Sequence, residues 1–254
     1  MISRLMQGAG STVLHLRREP SSSNIQSRCI TAFPAFRLTS FRRIIAEKTS
    51  NKYNEQRVYE IGPDLAALEW LMECGATEVE MSDGMKIGSR RQMRAYLDKT
   101  MKAGVSYLAF ANKWPNAPKG IHIINVDASD SAIADEGFKY LREVRRVSRL
   151  KLNFCDYFGD NGLRELAMGM PAKTLTDIEV VLNPSLSDGA VFWLCKMRAL
   201  KRAHFYFLPY VANRTSFIRT LKLSLPRCTV TFPEVSTVGY GYNEADLEAK
   251  KKEK

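Results

Sequence analysis

The sequence lacks the features that several classes of protein require. No apolar run approaches the roughly 18 to 20 residues of a membrane-spanning helix, which argues against an integral membrane protein. Neither G-x-G-x-x-G nor G-x-x-x-x-G-K-[ST] occurs, and H-E-x-x-H and G-x-S-x-G are absent too. The common signatures of nucleotide-binding enzymes, zinc proteases and serine hydrolases are therefore missing. We expect no catalytic residues, and an enzyme whose site has no such motif stays an alternative.

Histidine and cysteine are few and scattered. The chain has 3 histidines and 5 cysteines, and no two cysteines form a C-x-x-C pair. The sequence therefore contains neither a zinc ribbon nor a thioredoxin-type redox motif. Free, mostly buried thiols in a reducing compartment fit this pattern best.

Acidic residues are scarce at the start of the chain. The formal net charge is +11, and residues 1–46 supply +6 of it, with seven arginines, no lysine and one acid, Glu19. An arginine-rich, serine-rich and acid-poor segment is typical of a mitochondrial transit peptide, which we predict over 1–46. A disordered basic tail that binds RNA is the alternative. A solvated tail at 233–254 carries further lysines, so much of the positive charge lies at the two ends of the chain. The central part is only mildly basic, and we therefore expect no nucleic-acid partner.

From about residue 120 the sequence repeats itself. Residues 147–166 read V-x-x-L-x-L-x-x-C-x-x-F-x-D-x-G-L-x-x-L, the pattern of a cysteine-containing leucine-rich repeat. Successive strand anchors are 26, 28, 25 and 25 residues apart, at Ile124, Leu150, Ile178, Ala203 and Cys228. The sequence therefore predicts an α/β fold, a leucine-rich repeat array of about four and a half repeats over 120–232.

Polar residues inside the repeats are predicted to be structural. Cys155 and Asn183 occupy the turn position where a small polar side chain satisfies unpaired backbone groups. Asp135, Asp160 and Asp188 stand where a helix N-cap is expected. Catalytic acids are the alternative for these three aspartates.

Residues 47–119 show a different pattern. Gly62-Pro63-Asp64 opens a helix that Cys74-Gly75 ends, a strand is expected at Glu78–Met81, and a helix is expected at about 89–102 with Met93, Tyr96, Leu97 and Met101 on its apolar side. Residues 114–120 are predicted to be a linker or loop. We interpret 47–119 as a small α+β cap domain over the N-terminal edge of the first repeat.

Alternation along the strands predicts a polar sheet face. Between the apolar anchors, mixed charges with one aromatic residue favour protein binding over a nucleic-acid groove. An ordinary solvated face is the alternative. The predicted partner-binding residues are Asn125, Asp127, Lys151, Asn153, Glu179, His204 and Tyr206, with Val181, Thr229 and Thr231 beside them.

Two motifs resemble a known family. Residues 61–76 read I-G-P-D-L-A-A-L-E-W-L-M-E-C-G-A, which resembles the G-P-D-R-A-A-S-E-W-L-L-R-C-G-A segment of the mitochondrial ATP synthase subunit s (coupling factor B) family. Residues 126–131, V-D-A-S-D-S, followed by Gly137-Phe138, resemble that family's I-D-A-T-D-S…G-F stretch. The resemblance covers about 50–232. The same family includes the distal membrane arm assembly component of respiratory complex I.

The resemblance implies a non-catalytic protein on the matrix side of the inner membrane, peripheral to it. Its partners would be ATP synthase subunits, in support of proton-coupled ATP synthesis. The alternative partners are membrane-arm subunits of complex I during assembly, because the 76–120 stretch is longer than in the coupling-factor branch. A more distant alternative is a substrate adaptor of a ubiquitin ligase, since cysteine-containing repeats are common in such adaptors.

The resemblance also implies a metal ion, and at one motif this chain differs from the family's pattern. It implies a magnesium ion between the N-terminal domain and the first repeat, at Gly75 and Ser129, where the family typically has glycine and threonine. Vertebrate members carry C-x-C in the second repeat, whereas this chain reads Asn153-Phe154-Cys155. The dithiol of those members is therefore not reproduced here.

Overall fold

The computed structural model describes residues 49–102 and 120–233. The predicted transit peptide (1–46), nearly all of the predicted tail (233–254) and most of the loop at 114–120 lie outside the described residues. The described part is a mixed α/β structure with a seven-stranded sheet. None of its helices has the length and apolar character needed to cross a membrane.

The described N-terminal part has three helices and a hairpin between residues 51 and 102. Its elements are α1 (Glu55–Ile61), α2 (Pro63–Glu73), β1 (Glu78–Met81), β2 (Lys86–Ile87) and α3 (Arg90–Lys102).

Glycine and proline set the ends of α2. Gly62 precedes it with φ +86°, Pro63 occupies its first turn, and Gly75 takes a left-handed turn (φ +90°) after Cys74. The predicted bounds of α2 and β1 are confirmed, and α3 agrees to one residue. Met101 was wrongly placed on the apolar side of α3, since it is 42% exposed.

The second part alternates strands with short helical segments. Its strands are β3 (Ile123–Asp127), β4 (Arg149–Lys151), β5 (Asp177–Val181), β6 (Arg202–Tyr206) and β7 (Thr229–Thr231). Its helices are a 3-10 helix (Asp135–Leu141), α4 (Asp160–Met168), α5 (Pro171–Thr174), α6 (Ala190–Leu194) and α7 (Arg214–Ser224).

The sheet is continuous across both parts. Its order is β2-β1-β3-β4-β5-β6-β7, with β1 antiparallel to both β2 and β3 and every later pair parallel. Parallel neighbours require crossover connections, which the helical segments provide. Strand β1 thus covers the edge of β3 that would otherwise be open, as the predicted cap would.

The strand register corrects the repeat alignment at both ends. Val126, Leu150, Ile178, Ala203 and Val230 lie side by side, 24, 28, 25 and 27 residues apart. The predicted anchors Ile124 and Cys228 were therefore wrong by two residues. A shift of two keeps every side chain on its own face, so alternation alone cannot detect it.

Buried aromatic rings link successive units of the core. Phe138 and Phe158 are fully buried with centroids 5.2 Å apart, and Phe205 packs 5.9 Å from Phe232. Each such side chain contributes about 2 kcal/mol through burial alone. The core runs unbroken from α1 to β7.

Candidate functional site

The two motifs that resemble the subunit s family meet where α2 packs against the loop after β3. Asn51 is fully buried there: its Nδ2 donates to the Ala132 carbonyl (2.8 Å), and its Oδ1 accepts from Ala134 N (2.8 Å) and Trp70 Nε1 (3.2 Å). Asn51 therefore fastens the segment before α1 to two distant parts of the chain. Sequence reasoning missed it, because nothing in its neighbours indicates contacts more than 80 residues away.

Trp70 fills the same junction. Its ring stacks on Tyr140 (centroids 5.6 Å, 17° between planes) and meets Phe138 edge-on at 6.1 Å. Gly137 lies so close that an added Cβ would stand 2.4 Å from Trp70 Nε1. Trp70 and Gly137, one from each motif, are thus complementary in shape. The two motifs therefore contain residues that must pack against each other.

Asp64 ties α2 to the start of β3. Its Oδ1 accepts from Ile123 N (3.2 Å), and its Oδ2 accepts from Arg145 Nε (3.1 Å), while the Arg145 guanidinium also donates to the Ile121 carbonyl (3.1 Å). Burial raises the pKa of Asp64, with Arg145 acting in the opposite direction. Both oxygens of this carboxyl accept hydrogen bonds and Asp64 is only 2% exposed, so its role is to hold α2 against the start of β3.

The predicted magnesium residues Gly75 and Ser129 lie on neighbouring segments. Thr77 Oγ1 donates to the Ser129 carbonyl (3.0 Å), and Ala132 N donates to the Cys74 carbonyl (2.9 Å). Ser129 donates through both N (3.1 Å) and Oγ (2.6 Å) to Asp127 Oδ1.

This neighbourhood fits a hard cation poorly. Mg²⁺ is usually held by one or two carboxylates, and Asp127 Oδ1 already accepts two bonds from Ser129 while Lys151 Nζ lies 4.0 Å from Oδ2. Within 49–102 and 120–233, no three His, Cys, Asp or Glu residues are grouped as a metal site would need. The magnesium ion stays a prediction.

The predicted partner-binding residues share one face of the sheet. Asp127, Lys151, Glu179 and His204 form one row across β3 to β6. Asn125 belongs to a second row with Arg149, Asp177 and Arg202, three charged residues that sequence reasoning missed. Asn153, Val181 and Tyr206 lie toward the carboxyl ends of the strands, and Thr229 and Thr231 end the two rows.

Many polar groups on this face bind one another. Asn125 donates to Glu80 (2.7 Å), and Asn153 donates to Glu179 (2.7 Å). Further pairs join Arg202 to Asp177 at 2.6 Å and His204 Nδ1 to Thr231 Oγ1 at 2.7 Å. Such cross-strand pairs stabilise a sheet, so this face has a structural role whether or not it also binds a partner.

The three predicted helix caps act between units instead. Asp135 accepts from Gly159 N and Gly162 N (both 2.8 Å), Asp160 accepts from Ser187 N (3.0 Å), and Asp188 accepts from Ala212 N (3.2 Å) and Asn213 N (3.3 Å). Their prediction as caps of their own helices was wrong, because each carboxylate reaches the turn of the following unit. The N-cap residues of α4 and α6 are Gly159 and Gly189, without side-chain caps.

Cys155 and Asn183 have the structural role predicted for them. Asn183 Nδ2 donates to the carbonyls of Cys155 (2.6 Å) and Phe158 (3.1 Å), and Cys155 Sγ donates to Ala128 O (3.1 Å). The equivalent position after β3 is held by Ser131, whose Oγ lies 3.5 Å from Cys155 Sγ. Burial raises the pKa of the Cys155 thiol, which keeps it protonated and a poor nucleophile.

Several open recesses lie on the described part of the chain. One of about 600 Å³ lies beside Arg214, Leu223 and Phe232, one of about 400 Å³ lies between Phe207, Pro209 and Phe232, and one of about 270 Å³ lies between Lys52, Glu69 and Tyr140. The fold and these surfaces define a mixed α/β protein whose strand–helix units form one sheet. On the polar face of that sheet, many side chains are hydrogen-bonded to one another.

Comparison with known proteins identifies its relatives. No protein-family model matches the chain. Proteins named mitochondrial ATP synthase subunit s from Pongo abelii, Bos taurus and Homo sapiens are each 28% identical to it over 178 residues, which is 69% of this chain and 78% of each relative. The resemblance to the subunit s family is thereby confirmed, and the chain is a homologue of these proteins.

Proposed function

We propose that the chain is a non-catalytic mitochondrial protein that associates with ATP synthase and supports proton-coupled ATP synthesis at the inner membrane. The observation that carries this proposal is the similarity to proteins named ATP synthase subunit s over 69% of the chain. The site chemistry is compatible with it, since the motif residues Asp64, Trp70 and Gly137 are engaged in packing and internal bonds.

A leucine-rich repeat architecture is part of the proposal. Its support is the set of five parallel strands in chain order, whose aligned residues recur every 24 to 28 residues. That spacing lies within the range of the repeat class. Arrays of this kind offer extended binding surfaces, which suits an accessory subunit better than a catalytic one.

The proposed location is the matrix side of the inner membrane, with 1–46 as the import signal. The relatives' names include the word mitochondrial, and the composition of 1–46 is that of a transit peptide. Import of the full chain into isolated mitochondria, with and without residues 1–46, tests the signal. Resistance to added protease together with release by alkali is expected of a peripheral matrix protein.

Affinity purification tests the partner. We expect the tagged full chain to recover ATP synthase subunits from mitochondria solubilised in mild detergent. The second candidate is assembly of the complex I membrane arm, which the family resemblance also implies. Recovery of complex I membrane-arm intermediates without ATP synthase subunits would overturn the first proposal and support the second.

Two finer proposals concern sites. The polar face with Asn125, Asp127, Lys151, Asn153, Glu179, His204 and Tyr206 is proposed as a partner surface, which charge-reversing variants of its central residues would test. Magnesium binding at Gly75 and Ser129 is proposed from the family resemblance alone. Calorimetric titration of the purified chain with Mg²⁺, repeated with Ser129→Ala, tests the magnesium site.

A further inference from the structure

Four residues at the carboxyl edge of the sheet have an uncommon backbone conformation. Asp130, Phe154, Leu182 and Phe207 have φ values of +56°, +59°, +54° and +49°, and each stands four positions after the aligned residue of its strand. Backbone bonds join neighbours: Asp130 N donates to Asn153 O, Phe154 N to Val181 O, and Leu182 N to Tyr206 O. The four residues therefore form a row across β3 to β6.

Three members of this row are apolar and face solvent. Phe154, Leu182 and Phe207 are 53%, 37% and 41% exposed. A left-handed conformation is unfavourable for such side chains and is adopted readily only by glycine and asparagine. The chain thus places large apolar groups on its surface at positions where a small or polar residue would fold more easily. Strain of this kind is concentrated at functional sites.

The connections around the row carry more acidic than basic residues. Those that leave β3, β4 and β5 at this edge, 128–138, 152–162 and 182–190, contain six carboxylates and no Lys, Arg or His, and the one that leaves β6, 207–214, contains Arg214 and no carboxylate. The carboxylates belong to Asp130, Asp135, Glu136, Asp156, Asp160 and Asp188. An anionic lipid surface or a nucleic acid would be repelled here, whereas a segment that combines apolar and basic residues would be attracted.

The dimensions of the row suit a helix. Neighbouring strands are about 4.8 Å apart, so three positions span about 10 Å. A helix rises about 10 Å over seven residues, so apolar side chains at i, i+3 and i+7 match this spacing. We propose that Phe154, Leu182 and Phe207, which we call the edge row, are the docking site for a basic amphipathic helix of a protein partner.

The inference rests on the proposed function only for its first probe, purified mitochondrial ATP synthase. The edge variant of the full chain is Phe154→Asn/Leu182→Asn/Phe207→Asn, since asparagine tolerates the left-handed conformation. The matched control removes exposed apolar side chains from the helices instead: Met168→Ala/Phe192→Ala/Leu223→Ala, at 60%, 57% and 75% exposure. If the triple edge variant does not fold, Phe154→Asn alone replaces it.

The expected result is that wild type and control bind ATP synthase equally, while the edge variant binds at least tenfold more weakly. Rising salt should weaken wild-type binding, because the contact is partly electrostatic. Equal binding by the edge variant would overturn the inference and leave the proposed function standing. If wild type itself does not bind ATP synthase, the proposed function fails, and a second probe decides the inference.

The second probe is an amphipathic helical peptide of leucine and lysine, compared with its leucine and glutamate counterpart. Binding of the lysine peptide to wild type and control, with loss in the edge variant, supports the inference. Equal binding to all three proteins, a preference for the glutamate peptide, or no binding of either peptide overturns it. Vesicles with cardiolipin provide the last arm, and a loss confined to vesicle binding would assign the row to lipid instead.

Discussion

The contact between Gly137 and Trp70 makes Gly137→Ala the sharpest test of the structural role of the family-like motifs. The added methyl group would stand 2.4 Å from Trp70 Nε1 and 2.5 Å from Cε2 and Cζ2. An ordinary carbon contact is about 3.5 Å or longer, so one side must move by about 1 Å. The indole cannot move freely, because Asn51 binds its Nε1 and Tyr140 stacks on its face.

The expected cost follows from what such a shift disrupts. Overpacking of a core costs about 1 to 3 kcal/mol. Weakening the buried bond to Asn51 adds about 1 kcal/mol, and disturbing the ring stack adds about 1 kcal/mol. Alanine has less conformational freedom than glycine in the unfolded chain, which offsets this cost by about 0.5 kcal/mol. We therefore expect Gly137→Ala to lower the free energy of unfolding by about 3 kcal/mol.

Urea denaturation of the full chain measures this change, and the midpoint should fall by about 1 M. Trp70→Phe supplies the control, since the smaller ring leaves room for the methyl group. In that background the cost of Gly137→Ala should be smaller by about 1 kcal/mol or more, a coupling that a double-mutant cycle isolates. An unchanged midpoint, or the same cost in both backgrounds, would refute the reasoning.

Variants at three further residues test other contacts. Asn51→Ala leaves one carbonyl and two N–H donors without their buried partner, so denaturation should show a loss of about 3 kcal/mol. Asp160→Ala removes the acceptor for Ser187 N and should cost about 1 kcal/mol, while Asp160→Asn should cost less because its amide oxygen still accepts. Burial raises the pKa of Asp64, so the folded state holds that proton more tightly than the unfolded chain does. The resulting stability is present below about pH 4 and is lost as pH rises through the folded pKa. Unfolding followed from pH 3 to 7 should show this fall in wild type and not in Asp64→Asn.

A specific outcome would contradict each of these predictions. A stable Asn51→Ala protein would mean that the three bonds are replaced. Equal stability of Asp160→Ala and Asp160→Asn would show that the contact to the next unit contributes nothing. The same pH dependence in Asp64→Asn as in wild type would assign that dependence to another group.

Local rules explain the parts of the fold that the sequence predicted. Glycine and proline placed both ends of α2, and alternation assigned Lys151 and Glu179 to the polar face and Leu150 to the core. These properties depend on residues close together in the chain. The role of Asn183 was predictable from the repeat pattern instead, although its bond to the Cys155 carbonyl reaches the preceding unit, 28 residues away.

Features that depend on distant contacts were not predictable. The register of β3 is set by pairing with β4, and a shift of two residues leaves the alternation of Ile124 and Val126 unchanged. Asp160 looks like a helix cap until the position of the next turn is known. The left-handed backbone at Phe154 is unfavourable for phenylalanine, so no local rule predicts it. The sequence thus predicted which residues lie on the polar face of the sheet but not which of them are hydrogen-bonded to one another. It did not predict the edge row.

The rate of ATP synthesis in mitochondria that lack this chain, with succinate as the respiratory substrate, tests the proposed role most directly. Succinate oxidation bypasses complex I, so this rate depends on ATP synthase but not on complex I assembly. A role at ATP synthase predicts a lowered rate that the full chain restores. A normal rate with succinate, together with a lowered rate from substrates oxidised through complex I, would contradict it.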